Sequence, residues 1–240
     1  MYSKGWSDKR YKNRDNLDRD SGTYNNSDWV DKQVKRILNF EKEKKLSVER
    51  NNIIIQEVEN NKNNIVRIID YGGGLGLSYM PIRSSTEKHL DYNIVEVSKV
   101  VDKGREIYND NSEVRFFNNI DEIVKSPDIF YIRTSLQYAK DWKGILEKAC
   151  KLGSKKIIIV DTAAGDIETF LTYQLWGDEK IPYWFINKKE LIKKIEKHGY
   201  ICTHDKISQS IEDNVSFIDL KKYPESFRIK ELVNLMFDKV

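Results

Sequence analysis

From residue 65 onward, short apolar runs alternate with longer stretches of helical period. Ile65–Asp70, Tyr92–Val97, Val114–Phe117, Asp128–Ile132 and Lys155–Val160 are each four to six residues long, with Ile and Val prominent. Compact runs of this kind predict strands buried on both faces of a parallel sheet. Between them, apolar positions return every three or four residues. That period predicts helices over about Leu75–Ser85, Ser98–Asn109, Trp142–Leu152 and Asn187–His198, the last stopped at Gly199. Two further strands, Tyr200–Lys206 and Val215–Leu220, are separated only by Ile207–Asn214. The gap is too short for a parallel crossover, so an antiparallel hairpin is expected. A final amphipathic helix is expected over about Glu225–Asp238. Five β-α units followed by a hairpin predict a doubly wound α/β fold. Its sheet is mostly parallel and seven-stranded, with a C-terminal antiparallel hairpin and helices on both faces.

The chain before this pattern has a different character. Met1–Asn26 is rich in Lys, Arg, Asp, Asn and Ser, which suits a solvated tail. Trp6, Tyr11 and Tyr24 suit instead an arm that folds over a site, and the sequence leaves both readings open. Ser27 or Asp28 is placed to cap a helix starting near Trp29. Val30, Val34, Ile37 and Leu38 form its apolar face, and helical spacing continues over Glu41–Leu46. The polar break at Asn60–Asn64 divides the chain into an arm and helix over 1–64, able to act as a lid, and a ligand-binding domain over 65–240.

Composition narrows the partners. The 240 residues suit one α/β domain, and 39% hydrophobic residues are enough for a core. Net charge is only +3, which gives no general pull towards nucleic acid or anionic lipid. No apolar run approaches the roughly 20 residues of a membrane span. The polar, charged N-terminus does not read as a secretory signal. Cys150 and Cys202 have neither a disulfide framework nor metal-ligand spacing, so a reducing cytoplasm is expected and no metal.

The decisive segment is Ile68-Ile69-Asp70-Tyr71-Gly72-Gly73-Gly74-Leu75-Gly76, between a predicted strand and a predicted helix. Its glycines allow a sharp turn and let a ligand lie against bare main chain. A dinucleotide fingerprint starting at Gly72 would need a small residue where Leu77 stands, and the Lys-Ser/Thr of a P-loop is missing. Asp70 would repel phosphate and attract a cation. S-adenosylmethionine (SAM) has no phosphate and carries an ammonium and a sulfonium. Glu96, at the end of the second strand, can accept both ribose hydroxyls, a feature shared with NAD sites. Asn118 and Asn119 follow the third strand, where an adenine edge would lie; a turn preference explains them equally well.

These residues resemble class I SAM-dependent methyltransferases. More specifically, the chain is similar to a family of inferred methyltransferases often encoded beside bacterial surface-polysaccharide genes. The resemblance rests on the glycine loop Asp70–Gly76 followed by Ser78-Tyr79, and on the acidic strand end Asn93-Ile94-Val95-Glu96. It rests also on Thr134-Ser135-Leu136-Gln137-Tyr138, on Thr172-Tyr173-Gln174, and on the aromatic run Ile181-Pro182-Tyr183-Trp184-Phe185. Gly22-Thr23-Tyr24 and Trp29 match its N-terminal portion. It spans roughly Gly22–Ile207. The family's Asp-Arg-Thr-Pro at the end of strand five is here Asp161-Thr162-Ala163-Ala164, and the aromatic run is shifted around its proline, both on the acceptor side. The resemblance implies a Rossmann-like methyltransferase fold and a cofactor held by Asp70, Tyr71, Gly72, Gly73, Gly74, Gly76, Glu96, Val97, Asn118, Asn119, Thr134 and Ser135. It implies a small acceptor such as a sugar, a glycan precursor or a phosphorylated or nucleotide-linked metabolite, with S-adenosylhomocysteine as product.

A hydroxyl acceptor usually needs a base as its proton leaves. In doubly wound sheets the crevice lies outside the carboxyl ends of the strands. Asp161 is the preferred base there, although a carboxylate capping the turn fits as well. Gln137 and Tyr138 could orient an acceptor, and Thr162, Gln174, Tyr183 and Trp184 could line its site. The aromatic stretch Asp166–Phe185 suits a lid or sugar-stacking wall, or a hydrophobic cap on the sheet. Trp6 and Trp29 could close the same mouth. His89, His198 and His204 are weaker candidates for the base. Two alternatives stay open: an NAD(P)-dependent oxidoreductase, and a catalytically silent SAM-binding partner subunit.

Overall fold

The computed structural model describes residues 4–17, 23–208 and 220–240. In chain order its regular elements begin with β1 (Lys4–Trp6), α1 (Ser27–Leu38), α2 (Phe40–Arg50), α3 (Asn52–Asn60), β2 (Ile65–Tyr71), α4 (Tyr79–Arg83), β3 (His89–Val95), α5 (Ser98–Ile107) and β4 (Val114–Phe117). They continue with β5 (Ile129–Arg133), α6 (Trp142–Lys151), β6 (Lys156–Thr162), β7 (Ala164–Gly165), β8 (Phe170–Trp176), β9 (Glu179–Asn187), α7 (Lys188–Glu196), β10 (Tyr200–Ile207) and β11 (Val233–Lys239). A seven-stranded sheet has the order β10-β11-β6-β5-β2-β3-β4, and a four-stranded sheet the order β1-β8-β9-β7. The larger sheet is mostly parallel with an antiparallel pair formed by its C-terminal strands, as expected of the doubly wound fold. The chain forms two compact units, Tyr24–Arg133 with Lys151–Ile158, and Met1–Thr23 with Thr134–Cys150 and Ile159–Val240.

In the first unit, β2 pairs in parallel with β3 on one side and β5 on the other, and β3 pairs with β4. The inner residues Ile68, Ile69, Ile94, Phe130 and Ile132 are fully buried, as expected of strands covered on both faces. The N-terminal helical region is three helices, broken at Asn39 and Asn51. Its first cap is Asn26, whose side chain accepts the Trp29 amide, rather than Ser27 or Asp28. Asn26 has the extended backbone that a capping residue needs, whereas the next two residues are already helical. Val30 of α1 packs with Leu75 and Val100, flanked by Trp29, Val34, Ile37 and Val97. The helix expected over Leu75–Ser85 shrinks to α4. Gly74 and Gly76 hold φ of 59° and 82°, which a right-handed helix cannot include, so the turn continues to Ser78.

The second unit contains the hairpin strands β10 and β11, paired antiparallel with a register shift between Cys202 and His204. The hairpin was expected, but its second strand was not placed correctly. Residues 215–219 of the expected strand lie outside the described residues, Leu220 is not in a strand, and the partner is β11, where a helix was expected. Val233, Leu235 and Phe237 are all buried, so the two-residue period of a strand prevails over the helical spacing. The aromatic stretch is also regular structure. Strands β8 and β9 form an antiparallel hairpin closed by Gly177-Asp178, with Gly177 at φ 60°. Strand β1 adds to the outer edge of β8, pairing Trp6 with Gln174, and Tyr11 bridges to Leu171.

The described part of the N-terminal arm is therefore ordered, and Trp6 is a core residue. It is 2% exposed and packs edge-on against Tyr183 and Phe185, in a cluster with Phe170, Tyr223 and Ile229. Replacing it by alanine removes a large buried ring and leaves a cavity. Trp6→Ala is expected to cost about 3–5 kcal/mol, read as a lower urea midpoint. An unchanged midpoint would mean that Trp6 is not packed as described.

Candidate functional site

In the first unit the residues from the glycine segment come together as a single turn. Strand β2 ends at Asp70 and Tyr71, and the chain then reverses through Gly72 and Gly74, both with positive φ. The Gly72 amide donates to the Val95 carbonyl at 2.9 Å. A Cβ on Gly73 would strike the Asp70 carboxylate, and one on Gly76 would lie 2.9 Å from the Tyr108 hydroxyl. The turn thus needs glycine for both conformation and close approach. The Tyr108 hydroxyl donates to the Leu75 carbonyl and fixes the exit.

Two carboxylates sit beneath this turn. Asp70 is 1% exposed and accepts a hydrogen bond from the Tyr92 hydroxyl at 2.7 Å. Glu96 follows β3, accepts the Gly74 amide at 3.0 Å with one oxygen, and the Val97 amide at 2.8 Å with the other. Burial pushes the Asp70 carboxyl up to about 7, with the Glu96 charge adding to the rise and the Tyr92 hydroxyl opposing it. Burial also raises Glu96, against the two amides that favour its ionised form. Burial first, then the neighbouring Asp70, pushes the Tyr92 phenol well above its ordinary value, so it remains a donor. The site therefore holds negative charge at a cost, which a cation would offset.

The two asparagines after β4 are exposed. Asn119 caps the short 3-10 turn Ile120–Glu122, accepting the Asp121 amide while its own amide donates to Glu122. Its side chain thus meets the turn requirement that was one of its two sequence readings.

In the second unit, the residues expected on the acceptor side form another cluster. Thr134 and Asp161 both have left-handed backbone, with φ of 50° and 54°. Such strain in non-glycine residues costs about 1–3 kcal/mol each. It is held by neighbours: the Thr134 amide donates to the Val160 carbonyl, and the Asp161 amide to Asn234 Oδ1. Ser135 leads into the 3-10 turn Leu136–Tyr138. Gln137 Nε2 donates to the Asp161 carbonyl at 3.3 Å, and the Tyr138 hydroxyl donates to Gln174 Oε1 at 3.0 Å. Tyr183 packs edge-on to Tyr138, and the Trp184 indole donates to the Ala139 carbonyl. The buried Asp161 carboxylate accepts from the Ser208 hydroxyl. Thr162 Oγ1 and Gln174 Nε2 are buried without a hydrogen-bond partner among the described residues.

Sequence reasoning passed over several residues that build these clusters. Tyr92 and Tyr108 fall within a predicted strand and a predicted helix, and Ser208 and Asn234 fall in segments far from Asp161 in sequence. Gln33 had a legible signal: it interrupts the apolar stripe of α1 yet is 2% exposed. His89 and His204 form part of neither cluster as described, and His198 lies just beyond α7.

No family model and no curated protein matches the chain. Solved structures do. A magnesium protoporphyrin IX methyltransferase from Synechocystis PCC 6803 with bound SAM aligns over 91% of this chain and 94% of its own, with TM-score 0.57 and 14% identity. A Burkholderia thailandensis 1,6-didemethyltoxoflavin-N1-methyltransferase aligns over 93% of both chains at TM-score 0.56 and 10% identity. A SAM-dependent methyltransferase from Clostridium acetobutylicum covers 79% and 90%, at TM-score 0.53 and 13% identity. The shared property at such identities is the fold: this chain has the architecture of class I methyltransferases.

The raised Asp70 pKa links stability to pH. Its folded value of about 7 lies above the ordinary 3.8, so the protonated acid favours the folded state. That contribution is complete below pH 3.8 and is lost as pH rises through 7. Asp70→Asn keeps an acceptor for Tyr92 and removes the charge. It is expected to stabilise the unliganded protein by about 2–4 kcal/mol at pH 8, and by little at pH 4. Denaturant melts at the two pH values measure this, and an equal effect at both would contradict it.

Proposed function

We propose that this chain is a SAM-dependent methyltransferase that O-methylates a small polar acceptor. The observation that carries the reading is a pair of carboxylates, buried Asp70 and half-buried Glu96, beneath a turn of bare glycine main chain. A ligand with positive charge and without phosphate relieves their repulsion, whereas a pyrophosphate would add to it. Several neighbours with this fold are described as binding SAM or S-adenosylhomocysteine, which agrees with the chemistry of the donor set. Asp70, Tyr71, the glycines 72, 73, 74 and 76, Glu96 and Val97 would hold SAM, with Asn118 and Asn119 completing its site. SAM supplies an activated methyl group, and its by-product is S-adenosylhomocysteine.

The chain's own residues then have to bind the acceptor, orient it and take its proton. Thr162 and Gln174 keep unspent polar atoms in a buried setting, which suits an acceptor that brings its own hydroxyls. Tyr138 fixes Gln174, and Tyr183 packs edge-on against Tyr138. A sugar or glycan precursor has the matching chemistry, and the sequence resemblance to methyltransferases encoded near surface-polysaccharide genes points the same way. Asp161 is assigned the proton from the acceptor hydroxyl, with Gln137 as a positioning residue at its carbonyl. Residues 1–64 are assigned the part of a lid-bearing segment, and 65–240 the cofactor domain.

A second reading, a catalytically silent SAM-binding subunit, is favoured by one observation: Ser208 already bonds the Asp161 carboxylate. Turnover separates the two. With SAM and a panel of sugar acceptors, wild-type protein is expected to release S-adenosylhomocysteine and Asp161→Asn to be slower by 100-fold or more. No turnover by wild type with any acceptor would favour the silent subunit. Equal rates would remove Asp161 as the base.

Cofactor binding is tested first by calorimetry with SAM, S-adenosylhomocysteine and NAD, where the two adenosyl sulfur compounds should bind and NAD should not. A cation favours ionised Asp70, so affinity for SAM should rise roughly tenfold from pH 6 to pH 7.5, and the rise should flatten in Asp70→Asn. NAD uptake with no SAM uptake would turn the assignment to the oxidoreductase.

A further inference from the structure

Helix α1 places one amide over the glycine turn. Val30, Val34 and Ile37 pack towards Leu75 and Val100, and Gln33 stands within that apolar stripe. Its side chain is 2% exposed, and its Oε1 has no hydrogen-bond partner among the described residues. The same oxygen lies 2.9 Å from where a Cβ on Gly74 would be. The Gly74 amide does not serve it, because that amide donates to Glu96. A buried acceptor without a donor is costly, and it is kept where something outside the fold completes it.

The donor it needs can be specified. Beside Gly74 stand the Asp70 carboxylate, against Gly73, and the Glu96 carboxylate. A ligand group that reaches Gln33 Oε1 meets an acceptor close to two carboxylates, so N–H or O–H donors and positive charge suit it. An ammonium has three donors and the charge. We propose that Gln33 is a cofactor-binding residue whose amide oxygen accepts a hydrogen bond from the ammonium at the methionine end of SAM. This rests on the SAM reading above and assigns α1 a recognition role within it. The selectivity that follows is for adenosyl compounds that keep the amino-acid portion.

The test compares two ligands that share the thioether and adenosine but differ in that portion, S-adenosylhomocysteine and 5′-methylthioadenosine. Calorimetry at pH 7.5 on Gln33→Leu should show S-adenosylhomocysteine weakened about tenfold and 5′-methylthioadenosine changed less than twofold. The unliganded variant should melt at or above the wild-type temperature, because an unpaired acceptor has been replaced by an apolar group. Gln33→Glu keeps an acceptor and should hold S-adenosylhomocysteine at least as tightly as wild type. Equal weakening of both ligands, unchanged affinity for S-adenosylhomocysteine, loss of binding in Gln33→Glu, or a lower melting temperature in Gln33→Leu would each overturn the assignment. Wild-type protein that bound neither compound would remove the SAM reading itself.

Discussion

A carboxylate buried beneath a glycine turn constrains much of the first unit. Asp70 cannot move outward, because Gly73 covers it at a distance that excludes any side chain. It cannot be shed into water, because it stands at the end of a central strand with partners on both sides. Tyr92 answers it from β3 and Glu96 loads it from the same strand's end. The loop geometry, the burial and the charge imbalance are thus one arrangement. A fold that keeps such an arrangement gives up stability at neutral pH.

Helix α1 belongs to that arrangement as much as the loop does. It is held by Val30 against Leu75, inside the glycine segment, and by Val100 on α5. Asn26 starts the helix at a defined point, and Asn25 accepts the Lys99 amide at the entry to α5. Residues before the first parallel strand therefore help shape the turn, although they lie outside the β-α repeat. In the second unit the comparable device is strain: Thr134 and Asp161 keep left-handed backbone because Val160 and Asn234 take up their amides.

The parallel strands and the glycine turn were legible because each is written locally. Ile65–Asp70 and Val114–Phe117 carry their burial in their own composition, and the glycines announce positive φ. The C-terminal segment misled because Ile229, Leu232, Val233 and Met236 fit a helical stripe, while Val233, Leu235 and Phe237 fit a strand. Only pairing with β10 decides between them. The β8–β9 hairpin was hidden by its near-continuous burial, which erases alternation, although Gly177-Asp178 was a readable turn. Asp70 and Glu96 stand out in the sequence, whereas Tyr92, Ser208 and Asn234 do not. Their roles depend on who stands opposite, and no local pattern encodes that.

Strand β1 also has a bearing on how the molecule can be handled. By lying along β8 it occupies main-chain donors and acceptors that would otherwise line an open border of the smaller sheet, next to aromatic residues. An uncovered border of that kind is a template for other chains. Trimming the first dozen residues, or fusing a bulky tag tightly against them, would offer that template to neighbouring molecules. Clumping during purification would then reflect a missing cover strip and say nothing about the quality of the interior.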